Sequence, residues 1–209
     1  MTIRNSSFYK SVEGPSWEEA EEKAVALGGH LVTINDVEEN NWLVSQYYGS
    51  GKLSETLTNK NVWIGFTDKN VEGTWEWISG ESVNYINWAS DEPNANHPQG
   101  LDDYAGMGLI DYQSWRQLGD WVDAHNDPNS IRVGIAEVPL SYFSISDLTI
   151  TEGDSGNVTI SRTGGTNYEQ NLTLFSTDIS ATGGIDYTTI SQTISFASGE
   201  TSKNISINS

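Results

Sequence analysis

The uneven distribution of tryptophan constrains the fold of this chain more than any other feature of its sequence. All eight tryptophans precede residue 122 of the 209 residues. A tryptophan ring is stable in a folded protein mainly where it is buried, so the first part of the chain needs a core that can enclose these rings. The last third must fold around smaller side chains. We therefore expect two domains, at 1–139 and 140–209, and both lengths are usual for domains.

The first domain combines helices and strands. Ser16 in "SWEEAEEKAVALGG" is followed three residues later by Glu19, which is a capping-box pattern. Apolar side chains then recur at helical spacing until Gly28 and Gly29 end the helix. A second helix is predicted to begin at Asn35.

Beyond the second helix, the pattern changes to short strands. "NVWIGFTD" and "GTWEWISG" are aromatic strands separated by a polar turn. After Pro139 the apolar residues recur two apart, as in Val158/Ile160 and Ile194/Phe196, and Gly-rich turns separate the runs. This alternation predicts an all-β sandwich for the second domain.

One stretch of the first domain, "DEPNANHPQGLDDY" at 91–104, concentrates carboxylates and amides on a chain interrupted by proline and glycine. Carboxylates this close repel each other unless water, hydrogen bonds or a cation separates them. Calcium binds carboxylate, amide and carbonyl oxygens on irregular backbone. The stretch therefore predicts a calcium site, and a solvated acidic loop is the alternative.

Charge and composition argue against several partners and chemistries. Ten basic residues against 29 acidic ones give a net charge of −19, which disfavours nucleic acid and anionic membranes. No apolar run approaches the roughly 20 residues of a membrane span, so we expect no membrane insertion. The N-terminal residues also lack the apolar segment of a signal peptide.

Catalysis is not expected either. The sequence has no cysteine, which excludes disulfides, thiolate zinc sites and cysteine nucleophiles. There is no Ser-His-Asp spacing and no phosphate-binding glycine loop. Paired carboxylates could form a glycosidase site, but calcium keeps carboxylates ionised, whereas a general acid needs a raised pKa. We therefore predict that the protein is not an enzyme.

The motifs of the first domain occur in a recognisable order: "SWEEAEEKAVALGGHLVTI", "WIGFTD", "GTWEW", "INWASDEPN", "LDDYAGM" and "GDWVDA". On these motifs, residues 8–138 resemble a C-type lectin-like domain. The resemblance implies an α+β fold with two helices, two small antiparallel sheets and a long loop region that binds calcium. Residues 141–209 resemble a Calx-beta domain, an all-β Greek-key sandwich, and are expected to be incomplete at the C-terminal end.

The resemblance also implies a set of calcium ligands. Glu92 and Asn94 match the ligands of the family's Glu-Pro-Asn triplet, and the proline between them is expected to be cis. Asp102 stands where the family usually has glutamate, and Asp123 matches the last residue of a Trp-Asn-Asp motif. The same four residues would bind a sugar. Val122 replaces the asparagine of that motif, which removes one ligand and one sugar contact.

A second, auxiliary metal site is implied less strongly. Asp68, Glu72 and Asp103 match its positions, with surface acids as the alternative. Ala95 replaces another usual ligand, for which Asn96 could substitute.

The family's disulfides are absent, and other residues stand at the positions of their cysteines. Cysteines of the family would align near Ala24, Tyr104 and Ala136. We expect the two alanines to pack together between the first helix and the last strand of the domain. The Tyr104 ring would fill the space of another disulfide.

The leading prediction is a calcium-dependent carbohydrate-binding module. Glu-Pro-Asn implies mannose-, glucose- or fucose-type sugars, and the module would belong to a larger adhesive or surface protein. The alternative is a lectin-like adhesion module that binds a protein or a surface and uses calcium only as a structural ion. By analogy with the family, the protein would be secreted or displayed at the cell surface. The sequence leaves the oligomeric state open and gives no support for ice binding, a further property within the family.

Overall fold

The computed structural model describes residues 1–50, 61–94, 102–109, 116–126 and 131–209. Asn96, named above as a substitute ligand, lies outside these ranges. The chain divides into two compact units, Met1–Val138 and Pro139–Ser209. Within the described ranges, no helix is long and apolar enough to cross a membrane.

The described residues of the first unit contain two helices and eight strands. In chain order, its elements are β1 (Thr2–Arg4), β2 (Ser7–Glu13), α1 (Trp17–Ala26), β3 (His30–Leu31), α2 (Val37–Tyr47), β4 (Asn61–Thr67), β5 (Glu76–Trp77), β6 (Tyr104–Gly108), β7 (Trp121–Ala124) and β8 (Val133–Pro139).

Helix α1 begins as predicted, but α2 does not. Ser16 caps α1, and its side chain accepts a hydrogen bond from the Glu19 backbone N–H. The predicted start of α2 at Asn35 is wrong, because Asp36 is the N-cap and accepts from the Glu39 N–H at 2.7 Å. Asn35 instead donates its own backbone N–H to the Glu39 carboxylate at 3.0 Å. Two acceptors in succession, Asn35 and Asp36, made the cap ambiguous in the sequence.

The strands of the first unit form one hydrogen-bonded path in the order β1-β2-β8-β4-β6-β7, with β3 paired to β8 and β5 to β4. The pairs β1–β2, β3–β8, β4–β5, β4–β6 and β6–β7 are antiparallel. Strands β4 and β8 pair in parallel at Trp63 and Gly134. This parallel bridge joins an outer set of strands (β1, β2, β3 and β8) to an inner set (β4 to β7). The inner set ends at β7, next to the acidic loop.

The tryptophans form much of the core, as their number required. Trp77 and Trp121 pack in one buried cluster around Phe66, and Trp17 and Trp63 belong to a second. That second cluster also contains Ala24, Ala136 and Tyr104, the positions of the absent cysteines. The Tyr104 ring lies 4.8 Å from that of Trp17. Close packing of small and aromatic side chains thus occupies the space of the disulfides.

The second unit contains only strands: β9 (Ser141–Ile145), β10 (Ser155–Gly164), β11 (Gln170–Phe175), β12 (Ser191–Phe196) and β13 (Ser202–Asn208). They form one three-stranded sheet, β13-β10-β9, and one two-stranded sheet, β11-β12. Ile160, Ile194 and Phe196 are buried at the centre. The predicted all-β class is confirmed for this part of the chain.

Candidate functional site

Backbone hydrogen bonds bring the loop after β5 to the start of β7. Trp121 donates its N–H to the Asn87 carbonyl at 2.7 Å, and Ala89 donates to the Trp121 carbonyl at 2.9 Å. A turn follows, in which the Glu92 N–H donates to the Ala89 carbonyl at 3.0 Å. Glu92 therefore lies beside β7, and the peptide bond between Glu92 and Pro93 is cis, as the resemblance implied.

Three of the predicted calcium ligands meet at this point. The Asn94 backbone N–H donates to Asp123 Oδ2 at 2.8 Å. The Asn94 side-chain amide donates to Glu92 Oε2 at 2.6 Å. Asn94 thus connects the carboxylates of Glu92 and Asp123 through its backbone and its side chain.

Glu92 is held in a position that disfavours its charge. Its side chain is only 2% exposed. Burial raises the pKa of Glu92 to about 8, and the hydrogen bond and charge of Asp123 add to this effect, whereas Arg116 opposes it. A carboxylate with these surroundings is stabilised by any cation that reaches it.

Arg116 is the functional candidate that sequence reasoning missed. Its guanidinium Nη2 donates to Glu92 Oε1 in a short ion pair. The signal was present in the sequence, since Arg116 is the only lysine or arginine between Lys69 and Arg132. A single basic residue within a long acidic segment indicated a partner for one of the acids, but could not identify which one.

The predicted auxiliary acids also lie near one another. Asp68 is 3% exposed, and its Oδ2 accepts from the Gly73 N–H at 2.8 Å. Its other oxygen, Oδ1, is buried without a hydrogen-bond partner among the described residues. Burial and the charges of Asp103 and Asp123 raise the pKa of Asp68. An orphaned carboxylate oxygen in acidic surroundings is a good ligand for a cation.

Glu72 and Asp102 belong to the same acidic surroundings. Glu72 is exposed, and its pKa is raised first by the charge of Asp68 and then, among others, by those of Asp103, Asp123 and Asp102. Asp103 is fixed through its carbonyl, which accepts from Thr67 Oγ1 at 2.7 Å and from the Asp68 N–H at 3.2 Å. The structure thus brings Asp102 into electrostatic range of the auxiliary acids.

The side chains of this site are of the kind that binds a hard cation. Asn94 is hydrogen-bonded to the carboxylates of both Glu92 and Asp123, and calcium prefers carboxylate and amide oxygens. Among the described residues, no three His, Cys, Asp or Glu side chains converge closely enough to hold a metal by themselves. Val122 is 4% exposed within β7 and offers no oxygen from its side chain.

Comparison with protein families gives matches for both units. Residues 13–120 match the family model described as Lectin C-type domain. Residues 135–209 match that of the Calx-beta domain.

Two characterised relatives are similar to the first unit. A perlucin-like protein of Mytilus galloprovincialis is 32% identical over 93 residues, which are 44% of this chain and 56% of the relative. Human asialoglycoprotein receptor 2 is 35% identical over 97 residues, or 45% of this chain and 27% of the relative. The matched part thus spans about half or less of these relatives' lengths.

Solved structures confirm the fold. The carbohydrate-recognition domain of mouse scavenger receptor C-type lectin aligns with a TM-score of 0.51 and 28% identity, covering 66% of this chain and 93% of that domain. A calcium-independent type II antifreeze protein aligns equally well, with a TM-score of 0.51, 23% identity and coverages of 66% and 90%. The second of these likenesses concerns the fold alone.

Proposed function

The chain belongs to the C-type lectin domain family, and on this premise we propose that its first unit is a calcium-dependent carbohydrate-binding module. The observation that carries the proposal is the convergence of Glu92, Asn94 and Asp123 beside the cis Glu92–Pro93 bond. These residues come from two segments far apart in the sequence. A solvated acidic loop would not require the buried contacts that join them.

In this proposal, Glu92, Asn94, Asp102 and Asp123 hold one calcium ion and contact the sugar. The bound ion supplies open coordination positions for two neighbouring sugar hydroxyls. Glu92 accepts a hydrogen bond from one hydroxyl, and the Asn94 amide donates to one. The Glu-Pro-Asn triplet favours mannose-, glucose- or fucose-type hydroxyls. Val122 cannot contribute the usual asparagine contact, so we expect a single site to bind weakly.

Asp68, Glu72 and Asp103 form the proposed auxiliary calcium site. The orphaned Oδ1 of Asp68 supports this assignment, because a cation would satisfy it without any rearrangement of the Gly73 contact. An ion there would also neutralise the charges that raise the pKa values of Asp68 and Glu72.

The proposal extends to the context of the whole protein. We propose that the Calx-beta unit is a spacer or adhesive module and that the protein is secreted or displayed at the cell surface, within a larger adhesive assembly. Several modules on one surface would offset weak single-site binding, because linked sites raise the effective concentration.

A second candidate is an adhesion module that binds a protein or another surface. One observation favours it: the buried Val122 at the usual asparagine position. In that case calcium would only order the loop.

A glycan array distinguishes the two candidates. The full chain is displayed multivalently and tested in calcium and in excess chelator, with Glu92→Gln as the binding-site variant and Glu38→Gln, exposed on α2, as control. Signal on mannose- or fucose-type glycans that chelator and Glu92→Gln abolish, while Glu38→Gln keeps it, supports the lectin. No signal in either buffer from folded protein contradicts it and favours a protein ligand.

A further inference from the structure

The most buried acid of the site has a cationic partner within the chain itself. Glu92, with a side chain 2% exposed, forms an ion pair with Arg116, whose side chain is 22% exposed. The Glu92 carboxylate is engaged through both oxygens, by Arg116 at Oε1 and by the Asn94 amide at Oε2. An ion that uses Glu92 as a ligand approaches the same carboxylate as the guanidinium, so the two positive charges compete for it.

The side chain of Arg116 is held less firmly than the backbone that follows it. The backbone that follows it is anchored to β6: the Gly119 N–H donates to the Gly108 carbonyl and the Gly108 N–H donates to the Asp120 carbonyl, both at 2.8 Å. The Gly119 carbonyl also accepts from the Asn40 and Asn87 amides, at 3.2 and 2.9 Å. Withdrawal of the guanidinium therefore needs rotation of a partly exposed side chain, and the anchored turn can stay in place.

We propose that Arg116 is a built-in competitor of the metal: it neutralises Glu92 in the calcium-free protein and withdraws when Glu92 binds the ion. The inference rests on the proposed calcium site and adds a residue that sets its affinity. Without a counter-charge, a buried carboxylate next to Asp123 would be strongly destabilising. Arg116 supplies that charge, and the calcium affinity is lower as a consequence.

The size of the effect follows from the contact. A hydrogen bond between charged groups has a free energy that corresponds to about a 10- to 100-fold change in an equilibrium constant. Because the guanidinium competes with the ion for the Glu92 carboxylate, its removal is expected to tighten calcium binding by about this factor.

The first experiment measures calcium affinity by isothermal titration calorimetry on the full chain. Arg116→Gln is compared with the wild type at pH 7 and at pH 9, so that any competition from protons for the carboxylates is detected. We expect the variant to bind about 10- to 100-fold more tightly. Arg132→Gln, which removes the same charge at an exposed position, is the control and should change the affinity by no more than about 2-fold, since exposed charges are screened.

Three outcomes would overturn the inference. They are an unchanged affinity in Arg116→Gln, a weaker affinity, or no calcium binding by either protein. An equal tightening in Arg132→Gln would also overturn it, because the effect would then come from net charge alone.

A second measurement uses the unaltered protein and does not depend on how a variant folds. The rate at which phenylglyoxal modifies each arginine is followed by mass spectrometry, with and without calcium. Arg116 should react several-fold faster once calcium is bound. Arg162, buried in the second unit at 1% exposure, serves as the unreactive reference. Equal or slower modification of Arg116 in calcium contradicts its withdrawal.

These results are separable from the test of the lectin proposal. A negative glycan array together with tighter calcium binding by Arg116→Gln rejects the carbohydrate ligand and keeps Arg116 as the competitor. A positive, calcium-dependent array with unchanged affinity in Arg116→Gln keeps the lectin and rejects the competitor.

Discussion

Two groups of carboxylates are buried in the first unit, and they differ in how many donors they contact. The core carboxylates, Glu39 and Glu137, share the hydroxyl of Tyr9, at 2.9 and 3.0 Å. Glu39 also pairs with Arg4 at 3.0 Å and accepts the Asn35 N–H. The loop carboxylates are Glu92, Asp123 and Asp68.

The loop carboxylates have a less complete set of contacts. Asp68 has one oxygen without a partner among the described residues, and Glu92 lies against the carboxylate of Asp123. Like charges that face each other are unfavourable unless a cation or a proton intervenes. The core group is therefore structural, since its donors come from the fold itself. Of the loop group, Asp68 leaves an oxygen for an external cation, and a cation would also relieve the repulsion between Glu92 and Asp123.

The largest effect is expected from the core carboxylates. Glu39→Ala removes an acceptor that is 4% exposed and leaves Tyr9 and Arg4 without it. The free energy of unfolding should fall by about 3 kcal/mol, as when one partner of a buried charge pair is removed. Urea denaturation of the full chain measures this. Glu38→Ala, exposed on the same helix, should change it by no more than about 0.5 kcal/mol. Equal losses of unfolding free energy in both variants would contradict the structural role of Glu39.

The next largest effect concerns the loop carboxylates and calcium. Glu92→Gln removes a charged ligand, so the Kd for calcium should rise by about 100-fold, at the upper end of losses for groups around a metal. Its stability in chelator should not fall. Calorimetric titration and urea denaturation give the two values. Asp91→Asn, at the exposed neighbouring position, is the control, and an equal loss there would mean that only the net charge of the loop matters.

A pH effect should distinguish the core group further. Burial and the charge of Glu39 raise the pKa of Glu137 to about 7, from 4.5 in the unfolded chain. Between pH 4.5 and 7, Glu137 holds a proton in the folded protein but not in the unfolded chain. This proton therefore stabilises the folded protein fully at low pH, and the stabilisation is lost as the pH rises through 7. The loss should be about 3 kcal/mol.

Neighbouring groups determine how this pH effect is tested. Tyr9, Ser7 and the Thr33 N–H face Glu137, and His30, whose pKa is raised by Glu21, contributes a loss in the same direction. Glu137→Gln should therefore remove only part of the slope in urea denaturation between pH 5 and 8. An unaltered slope in that variant would contradict the assignment to Glu137. The contribution of Glu92, whose pKa burial raises to about 8, should persist in the variant.

The smallest effect is the one of opposite sign. Asp68→Asn in chelator removes a buried charge and can place an N–H where Oδ1 lacks a donor, while its remaining oxygen still accepts the Gly73 N–H. We expect the free energy of unfolding to rise by about 1 kcal/mol, the lower end of the cost of an unsatisfied buried group. Adding calcium should then stabilise the variant less than the wild type. A destabilised Asp68→Asn would place Asp68 with the core carboxylates.

Much of the fold could be predicted because it depends on local patterns. The Ser16 cap, the two aromatic strands and the alternation after residue 139 each follow from short-range periodicity. The start of α2 was predicted one residue too early, because Asn35 and Asp36 are both good caps. The contacts of Glu39 with Tyr9 and Arg4, and that of Asp36 with Arg4 at 3.7 Å, favour the later one. These contacts join residues distant in the sequence.

The amino-acid sequence by itself determined the composition of the acidic loop, the order of the lectin motifs and the division between a tryptophan-rich part and an alternating part. Tertiary structure alone decided which acids meet. Asn94 contacts Asp123 across 29 positions, and Arg116 reaches Glu92 across 24. The physical reason is that charge is visible residue by residue, whereas burial and pairing depend on how β7 lies against the loop after β5. A carboxylate becomes a ligand, a buried acid or half of an ion pair only through those neighbours.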